Sequence, residues 1–339
     1  MRAWFRRHRV ALLLAFLSPA IAELLTGSTP ITLLFLSPGL FLVRFLVDAW
    51  LYSTGVLLVR EARVRWHKGW GTVLLLGAAY GILEEGIAVH TFFQTTGPPV
   101  GALGSFGHLF GVNWVWAVGL TMFHSAYSIA LPILLVDLAW PALRQTRFLE
   151  GRVLPGTLGL YLACIGILGA FPTFRPSFTL AAVFLGIVAA LVYLAWRVPE
   201  DFLAGRPGPP TLGRWSWMGL GGAFYVILTF AGFGGPAIFR IPVLCIAVFL
   251  AGGAGIVLLV TRHVGTVRTV FAQYWFAVGM FLGLFFWDVP AEIVAVPGIL
   301  LVTAGFVGFL VWLHRRVTRP DGDRPAAPPS GALVGAALP

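Results

Sequence analysis

Charge is what this 339-residue chain has least of: Asp, Glu, Lys and Arg together make up 11% of it, against ~25% in an average soluble domain. No segment outside its apolar stretches is long enough to form a separate soluble domain. Cysteine is equally scarce. Cys164 and Cys245 are the only two, with no metal-ligand spacing and no disulfide framework, and both read as packing residues. The local patterns of soluble enzymes are missing as well: no His-Glu-x-x-His, P-loop, Gly-x-Ser-x-Gly or Cys-x-x-Cys occurs. These absences exclude a soluble enzyme, a disulfide-stapled secreted domain and a nucleotide-binding fold.

What remains is hydrophobic residues, 58% of the chain, with a mean hydropathy of +0.89. A membrane span needs ~20 mostly apolar residues. Stretches near 10–25, 39–59, 71–93, 112–138, 156–172, 178–196, 215–233, 241–261, 269–288 and 293–313 fit, which predicts an all-α bundle of about ten spans. With the N-terminus inside, every Lys and Arg except Arg44, Arg175 and Arg240 falls on a cytoplasmic segment. That bias predicts cytoplasmic N- and C-termini in a multi-pass protein of the plasma membrane. It also explains the net charge of +10 without nucleic acid; the partner is the bilayer, with some attraction to anionic lipid. The opening MRAWFRRHR and the apolar stretch after it resemble a signal peptide. Glu23 and Leu24 continue the segment, so it is expected to stay as the first span.

Residues 1–318 are expected to form one transmembrane domain and 319–339 a disordered cytoplasmic tail. Residues 60–68, 139–155 and 197–214 read as cytoplasmic loops, the last a seam between six spans and four. The uncharged loop 94–111 suits a re-entrant segment or a lid. Gly279 and Gly283 form a GxxxG pair suited to close helix packing. Polar membrane residues concentrate in the first four spans, which predicts a functional half and a supporting half.

Glu84 and Glu85 stand side by side inside the third span. One charged side chain at a span centre costs ~2.5–3.5 kcal/mol, so two adjacent carboxylates need a use or a partner. At 1.5 Å per residue, Glu23, Asp48, Glu84, Glu85 and His124 all lie roughly 16–22 Å from the cytoplasmic end of their spans. One shared cavity follows. On the fourth span Thr121, His124 and Ser128 form a polar stripe with Tyr127 beside it. On the second, Arg44, Asp48 and Tyr52 are spaced i, i+4, i+8, which suggests an Arg44–Asp48 ion pair. Tyr80 shares a face with Glu84, while Glu85 points about 100° away on a regular helix. Glu84, Glu85 and His124 are therefore the candidate catalytic residues, with Glu23, Arg44, Asp48, Tyr80, Thr121, Tyr127 and Ser128 as a supporting cluster. Asp137, Asp288 and Glu292 read as solvated helix ends, His90 and His108 as interfacial, and Asn113, Trp114 and Trp116 as an interfacial belt.

The Glu84-Glu85 pair, with His124 deep in the next span, resembles the CPBP superfamily of type II CAAX prenyl proteases and bacteriocin-processing intramembrane proteases. That resemblance covers residues 71–138 and implies a glutamate and a histidine that activate water. Val89 stands where the family pattern has Arg, and Leu120 where it has Phe. The segments FLSPAIAELLTGSTP and AYGILEEG also resemble uncharacterised bacterial multi-span proteins.

Three functions fit these residues. The first is an intramembrane hydrolase acting on a membrane-embedded peptide or small molecule, which needs a base, an oxyanion donor and water. Ser128 or Tyr127 would supply the oxyanion hydroxyl. The second is a proton-coupled secondary transporter, with Pro19 and Pro132 breaking helices near the midplane. The third is a scaffold without catalysis. No cofactor is expected; a divalent metal is the minor alternative, because adjacent residues on one regular helix diverge.

Overall fold

The structure, a computed structural model, describes residues 2–96, 101–171, 174–204, 212–232, 234–263 and 269–318. The tail expected at 319–339 lies outside the described residues, as does much of the seam at 197–214. Helices occupy all ten apolar stretches: α1 Arg2–Pro19, a short α2 Leu33–Leu36, α3 Pro38–Arg65, α4 Trp70–Ile82, α5 Trp114–Phe123, α6 Leu131–Ala139, α7 Val153–Gly169, α8 Phe178–Arg197, α9 Arg214–Ala231, a short α10 Gly235–Ile238, α11 Pro242–His263, α12 Thr269–Val294 and α13 Ile299–Val317. Seven helical stretches are long and apolar enough to cross a membrane, and α7 is a shorter apolar helix. One addition to the all-α expectation is a two-stranded antiparallel hairpin, β1 His108–Leu109 and β2 Val112–Asn113, in the loop read as a lid.

Three helices are interrupted by π-helical turns: Ala20–Leu24 after α1, Leu83–Ala88 after α4, and His124–Ala130 between α5 and α6. The i→i+5 bonds that mark them include Leu25 N–H to the Ala20 carbonyl at 3.0 Å and Val89 N–H to the Glu84 carbonyl at 2.8 Å. Pro19 and Pro132 sit beside two of them, where a proline removes a backbone donor and crowds the preceding turn. The prolines reshape these helices without breaking them. Each π turn carries one or two of the membrane carboxylates or His124, and such turns recur at functional sites.

Small residues set the helix spacings. A Cβ at Gly279 would lie 2.0 Å from the Met218 carbonyl oxygen, and one at Gly221 would lie 2.1 Å from that of Phe276. Gly279 and Gly221 thus let α12 and α9 meet backbone to backbone, while Gly283 makes room for the Tyr225 side chain. Gly279→Leu is expected to lower stability by about 1–3 kcal/mol or more, read as a lower thermal midpoint in detergent.

Several charges expected in water are buried instead. The segment read as a loop at 60–68 is still helical to Arg65, and Arg60, Glu61 and Arg63 are buried. Arg60 donates to the carbonyls of Leu143 and Thr146 at 2.6 and 2.8 Å. Glu61 accepts from Phe148 and Leu149 N–H at 2.9 and 3.2 Å, and pairs with Arg65 at 2.8 Å. Asp137, at 1% exposure, pairs with Arg63 at 2.7 Å. These residues pin α3 to the 139–155 loop, which folds back over them. Asp288 is likewise fully buried, since α13 packs on α12 and Thr303 donates to it at 2.5 Å. Glu292 caps α13 by accepting from Gly298 and Leu300 N–H at 2.8 and 3.0 Å.

Candidate functional site

The π turn at Leu83–Ala88 alters the expected divergence of the two glutamates. His124 lies between them: Glu85 Oε1 is 3.0 Å from Nε2, and Glu84 Oε2 is 3.1 Å from Nδ1. The two carboxylates reach one imidazole from its two nitrogens. Ser128 Oγ also lies 3.0 Å from Nδ1, one helical step along, and the Ser128 carbonyl accepts from Ser18 at 2.6 Å. The approach of α4 to this turn depends on glycine, for a Cβ at Gly81 would stand 2.9 Å from His124 Cβ. The Tyr52, Tyr80 and Phe123 rings enclose the imidazole, with centroids at 6.0, 6.1 and 5.5 Å.

Glu23 joins from the first π turn, where its Oε1 accepts from the Tyr52 hydroxyl at 2.6 Å. Glu84, Glu85, His124, Ser128, Tyr80 and Glu23 thus form one cluster. Arg44 and Asp48 make no ion pair or hydrogen bond to its members, although Asp48 lies close enough to Glu23 to interact with it electrostatically. In place of the expected ion pair, Arg44 donates to the Ser28 carbonyl at 3.0 Å and Asp48 accepts from Thr29 at 2.7 Å. Thr121 packs its backbone beside Gly81. Tyr127 turns away and donates to the Met280 carbonyl at 3.2 Å.

Thr91 and Trp116 belong to the site although sequence reasoning passed over them. Thr91 donates to Glu85 Oε2, and the Trp116 indole donates to Thr91 Oγ1 at 3.1 Å. Trp116 is therefore buried beside the carboxylate. Asn113 is buried too and caps α5 by accepting from Trp116 N–H at 3.3 Å. His90 is buried in the left-handed region at φ 61°. The signal for Thr91 was its place one turn past Glu85, visible only once the helix is known to end between them. Thr91→Val is expected to cost about 1–3 kcal/mol by leaving a carboxylate oxygen without its donor. A double-mutant cycle with Glu85→Leu, which removes the acceptor, checks this; the two losses should be less than additive.

A cavity of about 280 Å³ opens beside the cluster, at the end of the bundle that carries residues 25–32 and the hairpin. Glu23, Tyr52, Glu85, Thr91, Trp116 and His124 line one side. Tyr225, Thr229, Phe249 and Trp287, from the half expected only to support, form the other. A groove of about 310 Å³ approaches from the opposite end, along α3, α4, α7 and α8, and reaches Tyr80. Its lining is apolar except for Glu61, Arg65, Trp66 and the Tyr80 and Tyr161 phenols.

The fold and site together define a multi-pass helical membrane protein with a buried carboxylate–imidazole–carboxylate cluster beside a cavity. Residues 12–320 match the model of an uncharacterized membrane protein family, and the chain belongs to that family. Neither the curated proteins nor the solved structures yield a match.

Proposed function

We propose that the protein is a membrane-embedded hydrolase in which Glu85 and His124 activate water inside the 280 Å³ cavity. The observation that carries this reading is a contact: Glu85 Oε1 meets His124 Nε2 at 3.0 Å, and both residues line the cavity. A general base must lie within hydrogen-bond or one-water reach of the proton it takes. Here the carboxylate accepts a proton from water as its oxygen attacks the carbonyl carbon, and the imidazole relays a proton to the leaving amine. Thr91 and Trp116 hold the carboxylate in place. The oxyanion donor assigned earlier to Ser128 or Tyr127 moves to the facing wall, because neither of those hydroxyls lines the cavity; Tyr225 and Thr229 do.

The substrate class is a peptide or small molecule that enters from the membrane. The chemistry is that expected from the resemblance of Glu84-Glu85 and His124 to CPBP proteases. Seven long apolar helical stretches, with α1, α7 and α9, supply the proposed ten crossings of the plasma membrane, both termini cytoplasmic. Hydrolysis is favoured over proton-coupled transport because the groove on the far side of Tyr80 is largely apolar, and transport needs a polar path to both surfaces. Reconstituted protein should cleave members of a pool of membrane-spanning peptides, read by mass spectrometry, and His124→Gln should not. Cleavage that persists in His124→Gln, or proton flux without any cleavage, would overturn the reading.

A further inference from the structure

Glu84, Glu85 and His124 each offer one donor atom, and these three atoms lie within 4.8 Å of one another, all on buried residues. On a regular helix, adjacent glutamates diverge, which counts against a shared metal. The π turn at Leu83–Ala88 removes that objection by aiming both at one imidazole.

Two independent observations point to a cation. The first is Glu84 Oε2. Glu84 is 4% exposed, and among the described residues nothing donates a hydrogen bond to this oxygen, although His124 Nδ1 is 3.1 Å away. The Tyr52 and Tyr80 hydroxyls neighbour the Glu84 carboxylate, but Tyr52 donates to Glu23 and the Tyr80 hydroxyl makes no well-formed hydrogen bond among the described residues. A buried carboxylate oxygen without a donor is costly, and a metal ion satisfies it directly. The second is charge. Glu23, Glu84 and Glu85 surround a single imidazole, and no Lys or Arg pairs with them among the described residues.

We infer that Glu84, Glu85 and His124 bind one divalent transition-metal ion of the zinc or manganese kind. Two carboxylates and an imidazole are the donor set such ions take, whereas copper(I) favours sulfur. In a tetrahedral site, ligands on bonds of ~2.0–2.1 Å lie ~3.4 Å apart, so the three donor atoms, now within 4.8 Å of one another, draw together by up to ~1.4 Å as the ion binds. The surroundings match those of metal-bound histidines: Ser128 Oγ holds Nδ1, Nε2 beside Glu85 is the ligand nitrogen, Thr91 orients Glu85, and Glu84 Oε2, now 3.1 Å from Nδ1, turns toward Nε2 as the ion binds. The cavity adjoins Glu85 and His124. Three protein ligands with an open fourth position are the arrangement of ions that present water to a substrate. Binding rests on the cluster alone; use of the ion rests on the hydrolytic reading above, the ion then taking over the activation of water that the metal-free reading gives to Glu85 and His124.

The test begins with untagged protein purified in detergent, stripped with EDTA and titrated calorimetrically with Zn²⁺ and Mn²⁺, its ion content counted by mass spectrometry before and after. The expected result is one equivalent per chain, lost in Glu84→Gln and His124→Gln and weakened roughly 10–100-fold by Ser128→Ala. Glu292→Gln, a carboxylate outside the cluster, should leave the titration unchanged. Absence of one-equivalent binding in the parent protein overturns the inference. So does binding that Glu84→Gln and His124→Gln leave intact while gel filtration and circular dichroism match the parent. If Glu84→Gln fails to fold, Ser128→Ala carries the test, and an unaltered affinity there counts against the site. One-equivalent binding without peptide cleavage supports the metal site and removes the hydrolytic reading. Cleavage that proceeds in protein holding no ion does the reverse.

Discussion

Glu85→Gln should reduce cleavage by about 10²–10⁴-fold, the usual contribution of a positioned acid–base group, while leaving the protein folded. Glutamine keeps the shape of the side chain and an oxygen to accept from Thr91, so the packing around Trp116 survives. What it loses is the capacity to take a proton. Glu84→Gln should have the smaller effect on the proton transfer itself, because Glu84 does not line the cavity and meets His124 on the other nitrogen. A larger loss in Glu84→Gln than in Glu85→Gln would exchange the roles of the two glutamates. Rates on one peptide, with thermal midpoints as the folding control, separate these cases.

The largest expected loss of stability lies at the end of the bundle where α3 meets the 139–155 loop. Arg63→Met should cost about 3–5 kcal/mol, because it leaves the Asp137 carboxylate buried without its 2.7 Å partner. It also removes the stacking of the guanidinium over Trp70, 4.8 Å from the ring centroid. Arg144, 3.6 Å from the same carboxylate oxygen, keeps the loss toward the lower end of that range. The double variant Arg63→Met, Asp137→Leu should recover most of it, since replacing both members of a buried pair by apolar groups is often neutral. Thermal melts of the two variants in one detergent check the sign and the recovery. A double variant no better than the single would place the energy in Trp70 packing.

Hydropathy made the helices legible, and the rarity of membrane carboxylates made Glu84 and Glu85 legible, because both are large effects that act along the chain. The convergence of the glutamates on His124 was not. It depends on π turns, and a regular 100° step per residue sends Glu85 elsewhere. Charges that fall between apolar stretches, as at 60–68, suggest solvated loops. Arg60, Arg63 and Glu61 are instead folded under a loop whose backbone satisfies them, and that loop's path is invisible to a count of charges. Thr91, Tyr225 and Trp287 were missed for a related reason. Each is an ordinary residue by type; the end of the π turn brings Thr91 back to Glu85, and the packing of distant helices brings Tyr225 and Trp287 to the cavity.

The most direct test of the Glu85–His124 account is cleavage of membrane peptides by the reconstituted protein in H₂¹⁸O, with the new C-termini read by mass spectrometry. Solvent oxygen should enter each new carboxyl group in the parent protein, with no such product from Glu85→Gln or His124→Gln. Products that form equally in both variants, or no labelled product from any peptide in the pool, would contradict it.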